Sequence, residues 1–259
     1  MNTFGGGIEA HIHQIWIGPN PIPYIWIDTV KHFCLEQNIQ YTLWDETLIE
    51  SSLDWHIVPG MRDLYNSLDT FAGKGDILRY MILYQYGGMY IDADSVLIRP
   101  AKFVKFLAKN SAGLFMAWEE FGKADKNWIR TLGNKNRNIQ DKTRLIANGT
   151  IGARKGHPFL KKLLEELKSN SDRLANKQDW RKTGPAFVTN MYTKYENRYN
   201  DIKIYPMKYF YPISWKGIKD PEAHKRMRFP PESMFFQYGY STNNFAKIFR
   251  NLTRKRRRN

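Results

Sequence analysis

F-A-G-K-G-D-I-L-R-Y-M-I-L-Y-Q-Y-G-G-M-Y-I-D-A-D-S-V-L-I-R-P, residues 71–100, is the stretch that decides the fold. In its first half, apolar residues recur every three or four positions, so we predict a helix that Gly75 opens. The pair Gly87-Gly88 closes it, because glycine after a helix readily takes the left-handed conformation that caps the last carbonyls. Residues 89–98 are rich in Tyr, Ile and Val, which predicts a strand.

Two aspartates, Asp92 and Asp94, stand in this predicted strand with only Ala93 between them. Side chains two apart on a strand point to the same face, so the two carboxylates are expected side by side. Carboxylates held that close repel each other unless a cation lies nearby. Mg²⁺ or Mn²⁺ would suit the pair, because both prefer oxygen ligands and take some of them from a substrate diphosphate. Alone, however, D-x-D is also common where strands lead into loops.

Asp76 and Arg79 lie three residues apart on the predicted helix and therefore on one face, close enough to pair or to share a ligand. An ordinary surface ion pair is the alternative interpretation. The combination of all these residues is far more specific than either pair, and it reads G-K-G-D-x-x-R-Y-x-x-L-x-x-Y-G-G-x-Y-x-D-x-D.

This combination resembles the sugar-binding region of the D-x-D glycosyltransferases of family 32, which includes yeast-type initiating mannosyltransferases, bacterial capsule enzymes and viral relatives. The catalytic domains of the large clostridial glucosylating toxins are similar at a greater distance. The resemblance covers residues 10–190 and implies an α/β domain of the GT-A type, Rossmann-like, with a mixed twisted sheet. It also implies transfer of a hexose from a UDP- or GDP-linked donor to a glycan, with Mn²⁺ or Mg²⁺ and with retention of configuration.

The same resemblance implies roles for individual residues. Asp94 would hold the metal, and Asp92 would share the ion or orient the sugar. Asp76 and Arg79 would grip sugar hydroxyls.

Residues 10–18 read A-H-I-H-Q-I-W-I-G and predict the first strand. The resemblance assigns Trp16 to stacking on the nucleotide base, and Gln14, on the same strand face, is a further donor-binding candidate. A core position is the alternative for Trp16. His11 and His13 could bind a metal, but no third ligand is nearby, and a packed or hydrogen-bonded histidine pair is the preferred interpretation.

The elements around the central stretch continue a strand, helix, strand order. We predict a helix over 25–36, a strand over 40–43, a helix over 102–110, a strand over 112–118 and a strand over 150–153. Helices are expected to begin at Pro158 and near Pro185. The polar segment 119–144 is expected to be a mobile loop, with a lid over the donor site as one interpretation.

Two further candidates come from the resemblance. Asn148 precedes a strand where the family places an asparagine near the sugar or the acceptor. A late family segment closes over the diphosphate, and its counterpart here is residues 237–243, Q-Y-G-Y-S-T-N, which lacks the family's His and tryptophans. Thr242 and Asn243 are the candidates for that role.

The chain has 259 residues, a net charge of +15 and a pI near 9.7, so anionic partners are expected. We expect one domain over residues 1–245 and a basic tail over 246–259, whose run of Lys and Arg could dock on an anionic membrane. A nucleic-acid-binding protein explains the charge but leaves the D-x-D block without a purpose, and an inactive sugar-nucleotide-binding module is the third hypothesis.

Cys34 is the single cysteine, which excludes an internal disulfide and favours a reducing compartment. The sequence also shows neither a signal peptide nor an apolar run long enough to span a membrane. We therefore expect a soluble protein of a bacterial or virus-infected cytoplasm.

Overall fold

The computed structural model describes residues 3–120, 144–170, 179–214 and 216–256. Most of the predicted lid, residues 121–143, lies outside them. The strands are β1 (His11–Ile15), β2 (Gln40–Trp44), β3 (Gly88–Ile91), β4 (Ser95–Leu97), β5 (Leu114–Glu120), β6 (Arg144–Ala153), β7 (Ile202–Tyr205) and β8 (Phe235–Gln237). The helices in the described part are α1 (Tyr24–Glu36), α2 (Glu46–Ser52), α3 (Met61–Asn66), α4 (Phe71–Tyr86), α5 (Pro100–Lys109), α6 (Pro158–Ser169), α7 (Asp179–Lys182), α8 (Pro185–Tyr195) and α9 (Phe245–Arg256).

The main sheet has the strand order β2-β1-β3-β6-β5-β7. Strands β1, β2 and β3 are parallel, β5 and β7 are parallel, and β6 is antiparallel to both β3 and β5. All strands of this sheet except β6 therefore run in one direction, and their carboxyl ends meet at one edge. The predicted mixed sheet is confirmed.

Helices cover both faces of this sheet. On one face, α4 and α6 contribute to a buried apolar cluster that includes Tyr90. On the other, α1 and α5 pack over Met89 and Ile91. Residues 89–91 alternate between the two clusters because successive side chains of a strand point to opposite faces. None of the helices in the described ranges is both long and apolar enough to cross a bilayer.

Helix α4 is the predicted central helix, but it begins four residues before Gly75. The hydroxyl of Thr70 accepts the backbone N–H of Gly73 at 3.1 Å, so Thr70 is the N-cap and Gly75 lies inside the helix. The glycine stop is confirmed, since Gly87 has φ 69° and Gly88 φ 89°. A Cβ at Gly88 would come 2.3 Å from the carbonyl oxygen of His11, so no larger residue fits there.

The predicted strand over 89–98 is wrong in its middle. It divides into β3 and β4, because the chain turns at Asp92, whose carbonyl accepts the backbone N–H of Ser95 at 3.0 Å. Strand β4 leaves the main sheet and pairs with β8, with Ser95 opposite Gln237. Asp92 and Asp94 are therefore residues of a turn, and strand alternation is not the reason that they lie together.

The other predicted elements are present with shifted bounds. Strand β1 ends at Ile15 instead of Gly18, and β6 begins six residues before the predicted start because its amino-terminal half pairs with β5. The remaining predicted helices and strands begin and end within two residues of expectation.

The histidine pair of β1 is packed and hydrogen-bonded. The two rings lie 3.8 Å apart between centroids, and Nε2 of His13 donates to the carbonyl of Gly87 at 2.9 Å. Burial lowers the pKa of His11 to about 4 and that of His13 well below its usual range, so both rings are neutral. His13 thereby ties the glycine stop of α4 to β1.

Helix α9 occupies the beginning of the segment that we expected to be a tail. Phe245 and Phe249 pack against the buried ring of Trp26, at centroid distances of 4.8 and 5.2 Å. Trp26 also stacks on Tyr238, 4.3 Å away, just after β8. This aromatic cluster holds the end of β8 and the start of α9 against α1.

Candidate active site

A cavity of 240 Å³ lies at the carboxyl ends of β1 and β3. Its walls include Trp16, which follows β1, and Asp92 and Asp94, which follow β3. Phe71 and Arg79 of α4 also line the cavity. Carboxyl ends of parallel strands are where sheets of this kind bind ligands, so the cavity is the candidate site.

The two carboxylates converge on one amide group. The side-chain N–H₂ of Gln237 donates to Oδ2 of Asp92 at 2.7 Å and to Oδ1 of Asp94 at 3.3 Å. The backbone N–H of Tyr240 donates to the other oxygen of Asp94 at 2.7 Å. The late segment predicted to close over the site therefore does reach it, but through Gln237 and Tyr240.

Asp92 and Asp94 differ in their surroundings. Oδ1 of Asp92 accepts the hydroxyl proton of Tyr90 at 2.8 Å and lies 3.3 Å from Nη1 of Arg79. Asp94 has no such cation within the described residues, and burial, followed by the charge of Asp92, raises its pKa to about 6. Negative charge at Asp94 is thus incompletely balanced by the protein.

The described residues fit a divalent cation of the Mg²⁺ or Mn²⁺ kind at this point. Two carboxylates offer hard oxygens, and the raised pKa of Asp94 indicates negative charge that a cation would offset. Within the described ranges no group of three or more acidic, His or Cys side chains is placed so that it could hold a metal ion. Further ligands would have to come from a diphosphate or from water.

Asp76, Arg79 and Asn148 form one buried network beside the cavity. Arg79 lies 3.3 Å from Oδ1 of Asp76 and donates from Nη1 to the carbonyl of Asn148 at 2.6 Å. The side-chain amide of Asn148 donates to Asp76 at 2.8 Å, as does the hydroxyl of Thr183 at 2.7 Å. Burial raises the pKa of Asp76 even though Arg79 and these donors lower it. The network fixes the guanidinium, which lines the cavity, while Asp76 and Asn148 lie behind it.

Gln14 is fully buried beneath the turn. It donates to the backbone carbonyl of Asp92 at 3.3 Å and accepts the hydroxyl proton of Tyr41 at 2.9 Å. Gln14 therefore supports the Asp92 turn from below.

Thr242 and Asn243 do not line the cavity. Thr242 is exposed. Asn243 is buried, and its side chain accepts the N–H of Gly217 at 3.0 Å and donates to the carbonyl of Tyr238 at 2.8 Å. Ser241, which precedes Thr242, does line the cavity. The predicted segment is therefore near the site, but the side chains of Thr242 and Asn243 are not on the cavity wall.

Several site residues escaped the sequence reasoning. Gln237 stood in the segment that was singled out, and its amide was the available signal. Thr183 lies two residues before Pro185, near which a helix was predicted, and the sequence reasoning assigned it no role in the site. Burial, and then Asp92, raise the pKa of Glu119 on β5 to about 7, and no motif marks that residue.

Comparison with known proteins agrees with this geometry. Residues 26–113 match the family described as the glycosyltransferase sugar-binding region containing the DXD motif, and residues 152–229 match the alpha 1,4-glycosyltransferase conserved region.

Two curated relatives are similar in sequence. An uncharacterized glycosyltransferase of Acanthamoeba polyphaga mimivirus is 29% identical over 81% of this chain and 75% of its own length. Inositol phosphoceramide mannosyltransferase 3 of Schizosaccharomyces pombe is 28% identical over 62% of this chain, but the match spans only 37% of the yeast protein.

Among solved structures, mouse xyloside xylosyltransferase 1 aligns with 90% of this chain and 98% of its own, with a TM-score of 0.50 and 12% identity. At that identity the likeness concerns the fold alone. The resemblance to D-x-D glycosyltransferases and the GT-A fold class are both confirmed.

Proposed function

We propose that this D-x-D glycosyltransferase domain moves a hexose from a UDP- or GDP-linked donor to a glycan acceptor, with Mn²⁺ or Mg²⁺ at Asp92 and Asp94 and with retention of configuration. The observation that carries the proposal is the convergence of the two carboxylates on Gln237, beside the cavity that Trp16 also lines. A divalent ion there would offset the negative charge that develops on the departing diphosphate.

Each side of the cavity has a proposed task. Trp16 stacks on the base, because an aromatic ring binds any nucleobase through its face. Arg79 donates to sugar hydroxyls. Its guanidinium is immobilised by Asp76 and by the carbonyl of Asn148, so little conformational entropy is lost when the sugar binds. We propose that Asp76 and Asn148 act on the donor through Arg79.

Gln14 and the late segment have supporting tasks in the same proposal. Gln14 holds the carbonyl of Asp92 and so orients the turn toward the donor. Asn243 fixes the segment after Tyr238, and Thr242 stands in the exposed part of that segment, where a diphosphate could reach it.

One relative and one family match support the finer statements. A hexose donor agrees with the match to a mannosyltransferase, since mannose is a hexose. Retention agrees with the match to the alpha 1,4-glycosyltransferase conserved region, because an α-linked product from an α-linked nucleotide sugar keeps its configuration. Since the chain spans 37% of that yeast relative, donor, acceptor and partners all belong to the proposal.

The test is release of free nucleotide from a panel of UDP- and GDP-sugars, with and without Mn²⁺. We expect metal-dependent release that favours one donor and disappears in Asp94→Ala. The matched control is Asp63→Ala, which removes an exposed carboxylate on α3 and should leave release unchanged. No release from any donor, together with no nucleotide binding, would refute the proposal.

The same panel, together with a binding assay on random oligonucleotides, separates the two rival hypotheses. An inactive module would bind a nucleotide sugar without releasing nucleotide. A nucleic-acid-binding protein would bind random oligonucleotides with a steep salt dependence, because binding releases counterions. The transferase predicts weak binding with little salt dependence, despite the net charge of +15.

We further propose that the basic end of the chain docks on an anionic membrane, where each added Lys or Arg gains about 1 kcal/mol. Sedimentation with anionic liposomes should weaken after deletion of residues 254–259, and unchanged sedimentation would remove the proposal. The cytoplasmic location stays a prediction.

A further inference from the structure

A second groove, with a volume of 330 Å³, lies between α5 and the edge strand β7. Lysines of both elements form its rim, and three aromatic rings form its walls. The lysines are Lys102, Lys105, Lys109 and Lys203, and the rings are those of Phe106, Tyr205 and Tyr209. The donor-site residues described above do not line it.

The lysines leave the groove strongly cationic. Lys102, Lys105 and Lys109 follow one another at helical spacing on α5, and Lys203 stands opposite on β7. None of the four lies within 4.0 Å of a carboxylate oxygen of the described chain. The one acidic residue of the groove, Glu232, is paired with Lys208 at 2.5 Å, and its charge also interacts with that of Lys102. A ligand with several negative charges would therefore meet Lys105, Lys109 and Lys203, which have no carboxylate partner in the described chain.

Packed aromatic rings line the groove, of which Tyr205 is buried and Phe106 and Tyr209 are half-buried. Phe106 lies edge-on to Tyr205 at 4.9 Å between centroids, and Tyr205 stacks on Tyr209 at 5.7 Å. The hydroxyl of Tyr205 donates to Oδ1 of Asn110 at 3.0 Å, which fixes that ring. Nζ of Lys203 lies 4.8 Å above the Tyr205 ring and adds a cation to its face.

This pairing of charge and aromatic surface fits a particular ligand chemistry. A simple anion would use the lysines but not the rings, and a neutral glycan would use the rings but not the lysines. A saccharide that carries carboxylates or phosphates uses both, because the C–H faces of its rings pack on aromatic side chains while its acidic groups meet ammonium groups.

The groove is connected to the donor site by the chain itself. Glu232 lines the groove, and Gln237, which bridges Asp92 and Asp94, follows five residues later. Since an extended chain advances at most about 3.6 Å per residue, the two Cα atoms lie within roughly 18 Å of each other. The backbone N–H of Met234 also donates to the carbonyl of Tyr209 at 2.8 Å, which couples the wall that carries Tyr209 to this segment.

We propose that this groove is a second carbohydrate site, which binds an anionic saccharide segment of the acceptor away from the end that receives the sugar. The description of this saccharide as an acceptor rests on the proposed glycosyltransferase function. The binding itself does not, so the two can fail separately.

The test compares ligands on the intact chain by isothermal titration calorimetry. The probes are a tetrasaccharide of galacturonate, which carries a carboxylate on every ring, neutral maltotetraose and inorganic phosphate. We expect the galacturonate oligomer to bind more tightly than either of the others. Equal binding of phosphate and oligomer would show a simple anion site and overturn the proposal.

Variants locate the binding. Lys105→Glu combined with Lys109→Glu should weaken binding of the galacturonate oligomer by about tenfold or more, since two attractions become repulsions. The control, Lys31→Glu with Lys161→Glu, makes the same change of net charge at exposed sites on α1 and α6 and should have little effect. If both pairs of substitutions weaken binding of the oligomer equally, binding comes from general charge attraction and not from the groove, and the proposal is overturned.

Two further arms complete the experiment. Tyr209→Ala should weaken binding of the galacturonate oligomer while leaving phosphate binding unchanged. Thermal melting of each variant checks that it folds. Vesicles of phosphatidylserine that bind through Lys105 and Lys109 and displace the oligomer would make a lipid headgroup the occupant and overturn the proposal. Nucleotide release by the lysine variants should stay at the wild-type level. If the wild type itself releases no nucleotide, only the transferase function is refuted, because binding of the oligomer is measured separately.

Discussion

Exchange of Asp94 for asparagine is expected to stabilise the metal-free protein at neutral pH while abolishing nucleotide release. Burial, and then the charge of Asp92, raise the pKa of Asp94 to about 6, from a usual value of 3.8. Between these values the folded protein holds a proton that the unfolded chain has released. The free energy of unfolding that Asp94 contributes is therefore highest below the lower pKa and is lost as the pH rises through the higher one.

The size of the effect follows from the two pKa values. At a pH above both values, a folded-state pKa that is higher by about two lowers the free energy of unfolding by about 3 kcal/mol. Because Asp94 is partly exposed, solvent screening reduces this cost to about 1–3 kcal/mol. Asparagine carries no charge, and its oxygen can still accept the N–H of Tyr240. It gives up only the longer contact with Gln237, at 3.3 Å, while Gln237 keeps its 2.7 Å bond to Asp92.

The assay is urea unfolding of wild type and Asp94→Asn in EDTA, at about pH 4 and about pH 7.5. The difference in free energy of unfolding should be near zero at the lower pH, and the variant should be more stable by about 1–3 kcal/mol at the higher pH. Added Mn²⁺ should stabilise the wild type and not the variant, because only a ligand of the folded state raises stability.

Asp63→Asn is the control, because it removes an exposed carboxylate on α3. The part of its difference from the wild type that changes with pH should be much smaller than that of Asp94→Asn. A difference for Asp94→Asn that is the same at both pH values, or a variant that is less stable at neutral pH, would refute the claim that charge at Asp94 opposes the fold.

Three other substitutions test the remaining parts of the site. Trp16→Ala should weaken UDP or GDP binding by about 10- to 100-fold, since stacking on a base contributes about 1–3 kcal/mol. Trp16→Phe should retain most of the affinity. An unchanged affinity for Trp16→Ala would refute stacking on the base and leave Trp16 a packing role. Gln237→Leu removes a donor to two carboxylates, worth about 1.5–3 kcal/mol, so Mn²⁺ should raise the melting temperature by more than in the wild type; an equal rise would contradict the bridging role. Phe249→Ala should lower the free energy of unfolding by about 2–4 kcal/mol in urea titrations, because its ring packs against Trp26; a loss under about 0.5 kcal/mol would show that α9 is not part of the folded domain.

The local features of the central stretch were predictable because their causes are local. Helical spacing in α4, the glycine stop at Gly87 and Gly88, and the presence of paired carboxylates are all contained within residues 71–100. The strand, helix, strand order around that stretch was likewise predictable from residue types and spacing. The start of α4 at Phe71 also has a local cause, the hydroxyl of the N-cap Thr70, and it was missed because the prediction considered Gly75 instead.

The way in which the carboxylates come together was not predictable from the stretch itself. Asp92 and Asp94 lie in a turn because β4 pairs with β8, some 140 residues away in sequence, and the same pairing brings Gln237 between them. The burial of Asp76 has a similar origin, since its donors Asn148, on β6, and Thr183, before α8, are far from it in sequence.

The sequence by itself therefore determined the fold class and the candidate residues of the site, because residue types and short spacings decide which helix, turn and carboxylate oxygens are available. Only the tertiary structure decided the electrostatic state of those residues and the partners that hold them. The raised pKa of Asp94, the support of its turn by Tyr240 and the folding of α9 onto Trp26 all depend on burial and on long-range contacts. Such contacts arise when distant segments pack together, and no spacing within one segment encodes them.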